Sequence, residues 1–301
     1  MSITSQTVVV GVDGSAGSTA AVTWAAKLAA SRTLEVKIVH GLQIASLYYG
    51  GGLPGAGAAA LLDAIQANGE RVLAEARRVA LSVDENLVVT TEMPNDPPVP
   101  LLIEQSRHAR LLVVGRTGSG AFTEMLVGGT AATVVSHAHC PVVVVRGRQA
   151  SASIPDAGPV VVGVDGSPNS DQAIAIAFEE ASLRGAPLVA LHAWNDVTYE
   201  DTRGSARILT QPETLKEGEE RLLSERLAGW QEKYPDVVVR RDLLRARPRN
   251  ALLESSKTAQ LVVVGSHGRG GFTGMLLGST SQALVQHADC PVLVVRPERM
   301  G

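Results

Sequence analysis

Short runs of valine, leucine and isoleucine recur along the chain, and each ends at a glycine or a polar residue. Residues 7–12 have the sequence TVVVGV, and residues 261–265 have the sequence LVVVG. Runs of this length without polar alternation are typical of strands buried on both faces. Longer alanine-rich or amphipathic stretches separate these runs. This alternation predicts parallel sheets with helices on both faces.

The pattern predicts the order β-α-β-α-β-α-β-α-β in each half of the chain. The strands predicted in the first half are 7–12, 34–40, 86–92, 111–115 and 141–145, and the helices include 16–30 and 58–81. The strands predicted in the second half are 159–164, 187–192, 237–242, 261–265 and 291–295, and the helices include 171–184, 212–234 and 281–288. The 212–234 segment is predicted to be one long amphipathic helix.

The two halves are copies of one pattern. Gly115 to Thr130 repeats as Gly265 to Thr280 at a constant offset of 150 residues, whereas Asp13 and Asp165 are 152 apart. The first copy therefore carries two extra residues ahead of Gly115. We predict two domains, 1–148 and 157–301, joined by a linker rich in Ala, Ser, Gly and Pro. The fold class is α/β, with two tandem doubly wound, Rossmann-like parallel sheets of strand order 3-2-1-4-5.

An aspartate follows the first strand of each copy. Ligands of such sheets bind beyond the carboxyl ends of the strands, where the strand order reverses. Adjacent first and fourth strands would place Asp13 with Gly115 in one crevice, and Asp165 with Gly265 in another. A carboxylate there can accept a hydrogen bond from an adenine amine or a ribose hydroxyl. The alternative interpretation is a plain helix cap.

The fourth strand of each copy runs into a glycine loop and then into a helix. Glycines let the backbone approach a ligand, and the unpaired N–H groups at a helix start favour anions. Ser279 and Thr280 add hydroxyl donors at that point, and His267 and Arg269 are further candidates for phosphate contacts. Alternatively, Gly265 merely ends a strand and Ser279 merely caps a helix. The repeated glycine spacing favours a phosphate site.

Composition narrows the classes of partner. The chain has 301 residues, 45% hydrophobic and 19% charged, with a net charge of −3 and 3% aromatics. Without a basic block or many aromatics, nucleic acid is not expected as a partner. No targeting segment or membrane-length apolar run is evident, so we expect a cytoplasmic protein without membrane contact.

Cysteine and histidine usage indicates no metal site. Cys140 and Cys290 occupy equivalent positions before a proline and a valine run. One thiol in each half, without a second cluster of ligands, does not suit zinc. We interpret both cysteines as small buried residues. His40 and His192 end the second strand of each copy, and we assign them no chemical role.

The repeated motifs resemble a known family. Two copies of VGVDGS, and two loops of the form Gly-x2-Gly-x9-Gly, are similar to tandem-domain universal stress proteins, in particular the ATP-binding type of actinobacteria such as mycobacteria. The resemblance implies that ATP is bound, and Mg²⁺ is a candidate ion to accompany it. In the first copy it implies contacts from Asp13, Gly41, Gly115, Gly118, Gly128, Gly129 and Thr130. In the second copy it implies contacts from Asp165, Ala193, Gly265, Gly268, Gly278, Ser279 and Thr280.

The first copy departs from the family pattern. Gly129 stands where the family has Ser or Thr, which removes one hydroxyl donor. A hydrogen bond to a charged group is worth about 1.5–3 kcal/mol. We therefore expect weaker nucleotide binding in the first half than in the second.

The expected function is a nucleotide-dependent regulator of stress response or growth arrest. Bound ATP would favour one arrangement of the segments 41–57 and 194–211. The valine-rich last strands would be sheet edges, and pairing them within the chain would cover both. The resemblance also implies a homodimer, while the downstream protein partner is not specified.

Two other functions stay open at this point. The first is an enzyme, either a slow ATPase or an adenylyl-transferring enzyme using the same crevice. Against it, the sequence shows no Walker lysine, no nucleophile with a matched base and no metal-carboxylate cluster. We assign no catalytic residue. The second is an adaptor protein whose glycine loops no longer bind a nucleotide.

Overall fold

The computed structural model describes residues 5–42, 56–116, 129–146, 154–194, 212–269 and 276–296. The chain divides into two compact units, and the division falls between Ile154 and Pro155. Each unit is an α/β domain built on a parallel sheet.

The first unit has the predicted succession of strands and helices. Its elements are β1 (Thr7–Gly11), α1 (Ala16–Arg32), β2 (Glu35–Val39), α2 (Ala56–Val83), β3 (Val89–Glu92), α3 (Pro98–Gln105), β4 (Leu111–Gly115), α4 (Gly129–His137) and β5 (Val142–Val145). The strands are parallel in the order β3-β2-β1-β4-β5. The chain order reverses between β1 and β4, as predicted.

The second unit repeats this architecture. Its elements are β6 (Val160–Gly163), α5 (Pro168–Arg184), β7 (Leu188–Trp194), α6 (Pro212–Leu227), α7 (Trp230–Lys233), β8 (Val239–Arg245), α8 (Pro248–Ser256), β9 (Leu261–Gly265), α9 (Ser279–His287) and β10 (Val292–Val295). The parallel order is β8-β7-β6-β9-β10. Both units therefore confirm the predicted order 3-2-1-4-5.

The core of each unit forms where the central strands meet the alanine-rich helices. In β1, Val8 and Val10 have no exposed surface, and Ala21, Ala25 and Ala29 of α1 are equally buried. Alanines let a helix lie close to the sheet, so the branched valines fill the space between the layers. Full burial of a valine contributes about 1.5 kcal/mol or more.

The start of the first helix in each unit is set by a local turn. Ser15 precedes α1, and its hydroxyl oxygen accepts a bond of 3.1 Å from the Ser18 N–H. Ser167 plays the same part before α5. The glycine ahead of each serine has a left-handed backbone, with φ of 81° at Gly14 and 77° at Gly166. Glycine adopts this conformation without a steric penalty, which explains the Asp-Gly-Ser motif.

The prediction of one helix over 212–234 is wrong. Helix α6 ends at Leu227, and the short helix α7 begins at Trp230 after Gly229, whose φ is +79°. The break lets the Trp230 ring stack on the buried Phe178 ring, with centroids 5.8 Å apart. A left-handed glycine commonly terminates a helix, and the amphipathic pattern alone does not reveal this.

Two strands of the second unit extend further than predicted. Strand β7 reaches Trp194 and β8 reaches Arg245, because seven residue pairs from Leu188–Val239 to Trp194–Arg245 stay in register. The sequence predicted that β8 ends at residue 242, before several polar residues. Their backbone groups nevertheless continue the ladder, which carries the edge strand alongside the full length of β7.

Among the described residues, no helix is both long and apolar enough to cross a membrane.

Both cysteines are free and buried. Burial raises the pKa of the Cys140 thiol to about 12. We expect neither thiol to react with a colorimetric thiol reagent in the folded protein at neutral pH, and both to react after denaturation. Rapid labelling of the native protein would contradict this burial.

The shifted Cys140 pKa also predicts a pH dependence. The folded pKa of about 12 lies above the usual value of 9.0, so this contribution to stability is full below pH 9 and is lost as the pH rises towards 12. The slope is up to about 1.4 kcal/mol per pH unit. Urea unfolding of wild type and Cys140→Ala across this range measures it, and the variant should show the shallower slope.

Candidate functional site

A carboxylate stands at the end of the first strand in each unit, as predicted. Asp165 follows β6, and its Oδ1 accepts a bond of 2.9 Å from the Ser167 N–H. Its Oδ2 accepts a second bond, 3.0 Å long, from the N–H of Arg269 in the glycine loop. Asp165 therefore joins the end of β6 to the loop after β9, and the interpretation as a plain helix cap is incomplete.

The glycines of the second loop are positions of close approach. A Cβ on Gly265 would lie 2.8 Å from the Asn169 Cβ, and a Cβ on Gly268 would collide with Asp165 Oδ2. The Gly278 N–H donates a bond of 2.7 Å to the Ser266 carbonyl oxygen. These contacts bring Gly265, Gly268 and Gly278 to the same crevice as Asp165.

Helix α9 begins beside this loop without a side-chain cap. Gly278 is the N-cap residue, with φ −71° and ψ 153°, and as a glycine it supplies no side-chain cap to the first turn. Ser279 and Thr280 are the first two residues of the helix. The Ser281 hydroxyl donates a 2.6 Å bond to the Gly265 carbonyl oxygen, which fixes the helix start against the end of β9. An uncapped helix start with nearby hydroxyls is suited to an anion.

Two arginines add positive charge next to Asp165. The Arg269 guanidinium lies over Gly166, where an added Cβ would be 2.5 Å from its Nη2, and its Nη1 is 3.9 Å from Glu219 Oε2. Arg226 of α6 donates a 3.0 Å bond to the Gly166 carbonyl oxygen and pairs with Asp171 at 2.8 Å. The crevice is therefore bordered by cations held in place by acidic side chains.

His267 lies inside the glycine loop. Its Nδ1 is 3.2 Å from the Ser266 hydroxyl oxygen, and its carbonyl oxygen accepts a bond from the Asn169 amide. Its Nε2 is buried and has no hydrogen-bond partner among the described residues. A buried polar atom without a partner is costly, so a ligand that bonds to Nε2 would relieve that cost.

The second-strand histidines differ between the units. Nδ1 of His192 lies 2.6 Å from the Val164 carbonyl oxygen, and Nε2 lies 2.7 Å from Glu219 Oε2. Both ring nitrogens of His192 face oxygen atoms, so this ring joins the end of β6 to helix α6. In the first unit, His40 Nδ1 makes the same contact with the Val12 carbonyl oxygen at 2.8 Å, but the residue facing its ring is Gly69.

Gly41 and Ala193 follow these histidines. Val164 donates its N–H to the Leu191 carbonyl oxygen, and Val12 donates to Val39. Backbone groups point to alternate sides along a strand. The backbone groups of Gly41 and Ala193 therefore point to the same side as those of Val39 and Leu191, two residues beyond these bonds. A Cβ on Gly41 would lie 2.7 Å from the Asp96 carbonyl oxygen, whereas the alanine is accommodated in the second unit.

The first unit shows only part of its predicted site. Asp13 Oδ1 accepts bonds from the Ser15 N–H at 3.0 Å and from the Ser15 hydroxyl at 2.6 Å. A Cβ on Gly115 would lie 2.5 Å from the backbone of Gly17. Two further predicted residues, Gly129 and Thr130, are exposed at the start of α4. Gly118 and Gly128 lie outside the described residues, as does most of the segments 41–57 and 194–211.

Sequence reasoning missed two residues of the second crevice. Glu219 and Arg226 belong to the stretch interpreted only as an amphipathic helix. At the offset of 150 residues, their counterparts in the first copy are Gly69 and Ala76. The alignment of a charged residue in one copy with a small residue in the other could have indicated that these two positions have a specific role in the second domain.

Within the described residues, no group of three His, Cys, Asp or Glu side chains could hold a metal ion. The donors around Asp165 are backbone N–H groups, hydroxyls and guanidinium groups. Such a set suits an oxyanion such as phosphate.

The doubly wound parallel sheets, each with an aspartate after its first strand, place the chain among α/β proteins of the Rossmann-like class. Comparison with known proteins identifies the family. The model of the universal stress protein family matches residues 4–146 and again 157–296, and the chain belongs to this family.

Individual relatives agree with this assignment. The chain is 42% identical over 292 residues to a universal stress protein of Mycobacterium tuberculosis, covering 96% of both chains. A universal stress protein structure from Archaeoglobus fulgidus has a TM-score of 0.71 at 19% identity, covering 97% of this chain and 99% of that one, and so shares the fold. Another universal stress protein, described in complex with cAMP, is 27% identical over 47% of this chain and 96% of its own, with a TM-score of 0.34, too low to place a ligand here.

Proposed function

We propose that the protein is an ATP-binding universal stress protein that acts as a nucleotide-dependent regulator, with one site in each domain. The observation that carries the proposal is the second crevice, where Asp165 meets the loop at Gly268 and Arg269 beside the uncapped start of α9. A purine nucleotide needs a polar group for its base or ribose and an anion site for its phosphates. In this crevice the Asp165 carboxylate and the backbone of the glycine loop are in contact, so both requirements are met close together.

Each group has a chemical part in this proposal. Asp165 accepts from the ribose hydroxyls or the adenine amine, and the Ala193 backbone meets the purine edge. The glycine loop and the first N–H groups of α9 bind the phosphates, aided by Ser279 and Thr280. The guanidinium of Arg269 neutralises phosphate charge. In the first domain we assign the corresponding contacts to Asp13, Gly41, Gly115, Gly118, Gly128, Gly129 and Thr130.

The bond between Asp165 and Arg269 supplies the regulatory element. Because Asp165 Oδ2 accepts the Arg269 N–H, a nucleotide that bonds to this oxygen competes with the glycine loop for it. Binding therefore exchanges a contact within the protein for one with the ligand and releases the loop from its present position. A ligand that prefers the released arrangement shifts the population towards it.

Mg²⁺ would be held mainly by the nucleotide. Both oxygens of Asp165 already accept bonds from the protein. The described part of the crevice offers no further carboxylate beyond Glu219 and Asp171, which pair with His192 and Arg226. Phosphate oxygens and water are therefore the expected ligands of the ion.

The first test is to purify the protein without added nucleotide, denature it, and identify and count what is released. About two ATP per chain, or saturable binding of two ATP in calorimetry, supports the proposal. Release of ADP with turnover faster than nucleotide dissociation would instead indicate an ATPase. If no nucleotide is released and none binds in titration, the proposal is wrong and the adaptor function is favoured instead.

The two sites should differ in affinity. Position 129 is glycine where position 279 is serine, so we expect the first domain to bind ATP more weakly by about tenfold to a hundredfold. Gly129→Ser should narrow the difference by raising the ATP affinity of the first domain. Ser279→Gly should narrow it by lowering the ATP affinity of the second domain. Calorimetric titration of each variant, with the opposite site blocked by a Gly-to-Asp substitution at its helix start, measures this. Equal affinities in the unmodified sites would refute the prediction.

A further inference from the structure

Strand β8 carries an unusual concentration of positive charge. Residues 239–250 contain five arginines and one aspartate, a net charge of +4 in a chain whose total is −3. The arginines are all exposed and are Arg240, Arg241, Arg245, Arg247 and Arg249. The corresponding first-copy segment, 89–100, contains no arginine or lysine, and it contains Glu92 and Asp96. The charge is therefore a property of the second domain and not of the repeated fold.

Several of these charges have no acidic partner among the described residues. Arg240 pairs with Asp242 through two bonds of 2.9 Å. Arg241 instead donates to the Ser224 hydroxyl at 3.2 Å, and neither Arg247 nor Arg249 makes an ion pair within the described ranges. An anionic partner would thus not have to displace an internal carboxylate from these three side chains.

The backbone of β8 is also available for pairing. Leu188 donates to the Val238 carbonyl oxygen and Ala246 donates to Trp194, so the even-numbered residues bond to β7. The backbone N–H and C=O groups of Val239, Arg241 and Leu243 consequently point away from the sheet. No strand in the described part of the chain pairs with that side of β8. It is an open edge of the second domain's sheet.

We propose that the edge of β8 binds an extended acidic segment of a partner protein, which adds to the sheet as a further strand. Backbone pairing supplies the affinity and the arginines select acidic side chains. Exposed apolar residues accompany the arginines, since Val238 is 74% and Leu244 is 40% exposed. A segment that alternates acidic and apolar residues would match both features. This site is separate from the nucleotide crevice.

The positive charge also argues against a second copy of this chain as the partner that pairs with β8. Pairing β8 with β8 would bring like-charged arginines opposite one another, which is destabilising. An RNA or lipid surface would use the arginines but would leave the outward N–H and C=O groups without partners. The combination of cationic side chains and open backbone therefore favours a peptide.

The test uses the full-length protein and a fluorescein-labelled peptide that alternates glutamate and valine. A second peptide carries the same glutamates with central prolines in place of valines, so it keeps the charge but cannot pair as a strand. Fluorescence anisotropy should show saturable binding of the first peptide that weakens with salt, and binding of the second at least about tenfold weaker. Equal binding of both peptides would overturn strand addition.

Charge-reversal variants locate the site. Arg241→Glu with Arg247→Glu should weaken binding of the first peptide by about tenfold or more. The matched control is Arg71→Glu with Arg77→Glu, which reverses two exposed arginines on α2 and should leave affinity unchanged. Thermal melting confirms that each variant is folded. Unchanged binding by the β8 variant, tighter binding of an RNA oligonucleotide or anionic vesicles than of the peptide, or saturation that follows self-association would each overturn the proposal.

Discussion

Gly278→Asp should reduce ATP binding by the second domain at least about a hundredfold without destabilising the protein. Gly278 has the extended backbone of an N-cap, with φ −71° and ψ 153°, and its own helix lacks a side-chain cap. Aspartate is a favoured N-cap residue, so the helix itself should gain stability. The carboxylate, however, would face the bound phosphates, and two like charges about 5 Å apart at an effective dielectric of about 20 repel by about 3 kcal/mol.

Gly278→Asn is the control for this change. Asparagine has the same shape, caps helices about as well, and carries no charge. A Cβ at position 278 would lie 3.2 Å from the Ser266 carbonyl oxygen, a close contact that both variants share. Calorimetric titration should therefore separate charge from steric hindrance. If Asn and Asp reduce ATP affinity equally, phosphate does not lie at this helix start.

Gly115→Ala should lower the free energy of unfolding by about 3 kcal/mol, a large effect for one added methyl group. The new Cβ would lie 2.5 Å from the carbonyl carbon and oxygen of Gly17, at the start of α1. Those are backbone atoms in a capped first turn, so they cannot rotate away as a side chain could. Either α1 shifts from β4 or the strand end distorts, and both lose packing in the core.

The same chain provides matched controls for Gly115→Ala. A Cβ on Gly129 would meet nothing within 4 Å, and Gly129 lies at the start of α4, so Gly129→Ala should leave stability unchanged or slightly raise it. Gly265→Ala should be intermediate, since its closest contact, with Asn169 Cβ, is 2.8 Å, longer than the 2.5 Å at position 115. Urea unfolding of the three variants measures the order. Equal costs at positions 115 and 129 would show that the tight contact is absent.

The fold was predictable because local signals and the repeat agreed. The valine-rich runs identified β1, β4, β6 and β9, and the Asp-Gly-Ser turn located the start of α1 at residue 16. Two copies of one order left little choice of topology, although α5 begins three residues before the predicted position. The errors lie where a local pattern was ambiguous. Gly229 breaks a stretch that has helical periodicity on both sides, and Leu243 and Leu244 continue an edge strand among arginines.

The grouping of residues in the candidate site was predictable as far as it depends on the backbone. Asp165, Gly268 and Gly278 could be grouped because strands 1 and 4 of such a sheet are neighbours. Their detailed contacts depend on side chains from another helix. The bonds from Glu219 to His192 and from Arg226 to Gly166 join residues 27 and 60 positions apart, and no spacing rule relates them. Such pairs become visible only once α6 is placed against the sheet.

Glu219 and Gly69 also record how far the two halves have diverged. In the second half, a partly buried hydrogen bond joins the second strand to the following helix, whereas in the first half a side chain at position 69 would collide with Met93 and Leu42. A glutamate transplanted to position 69 would meet thioether and hydrocarbon as well as the His40 ring. The two halves are therefore not interchangeable. A chain built from two copies of either half would have the same surroundings for both second-strand histidines, whereas this chain has two different ones.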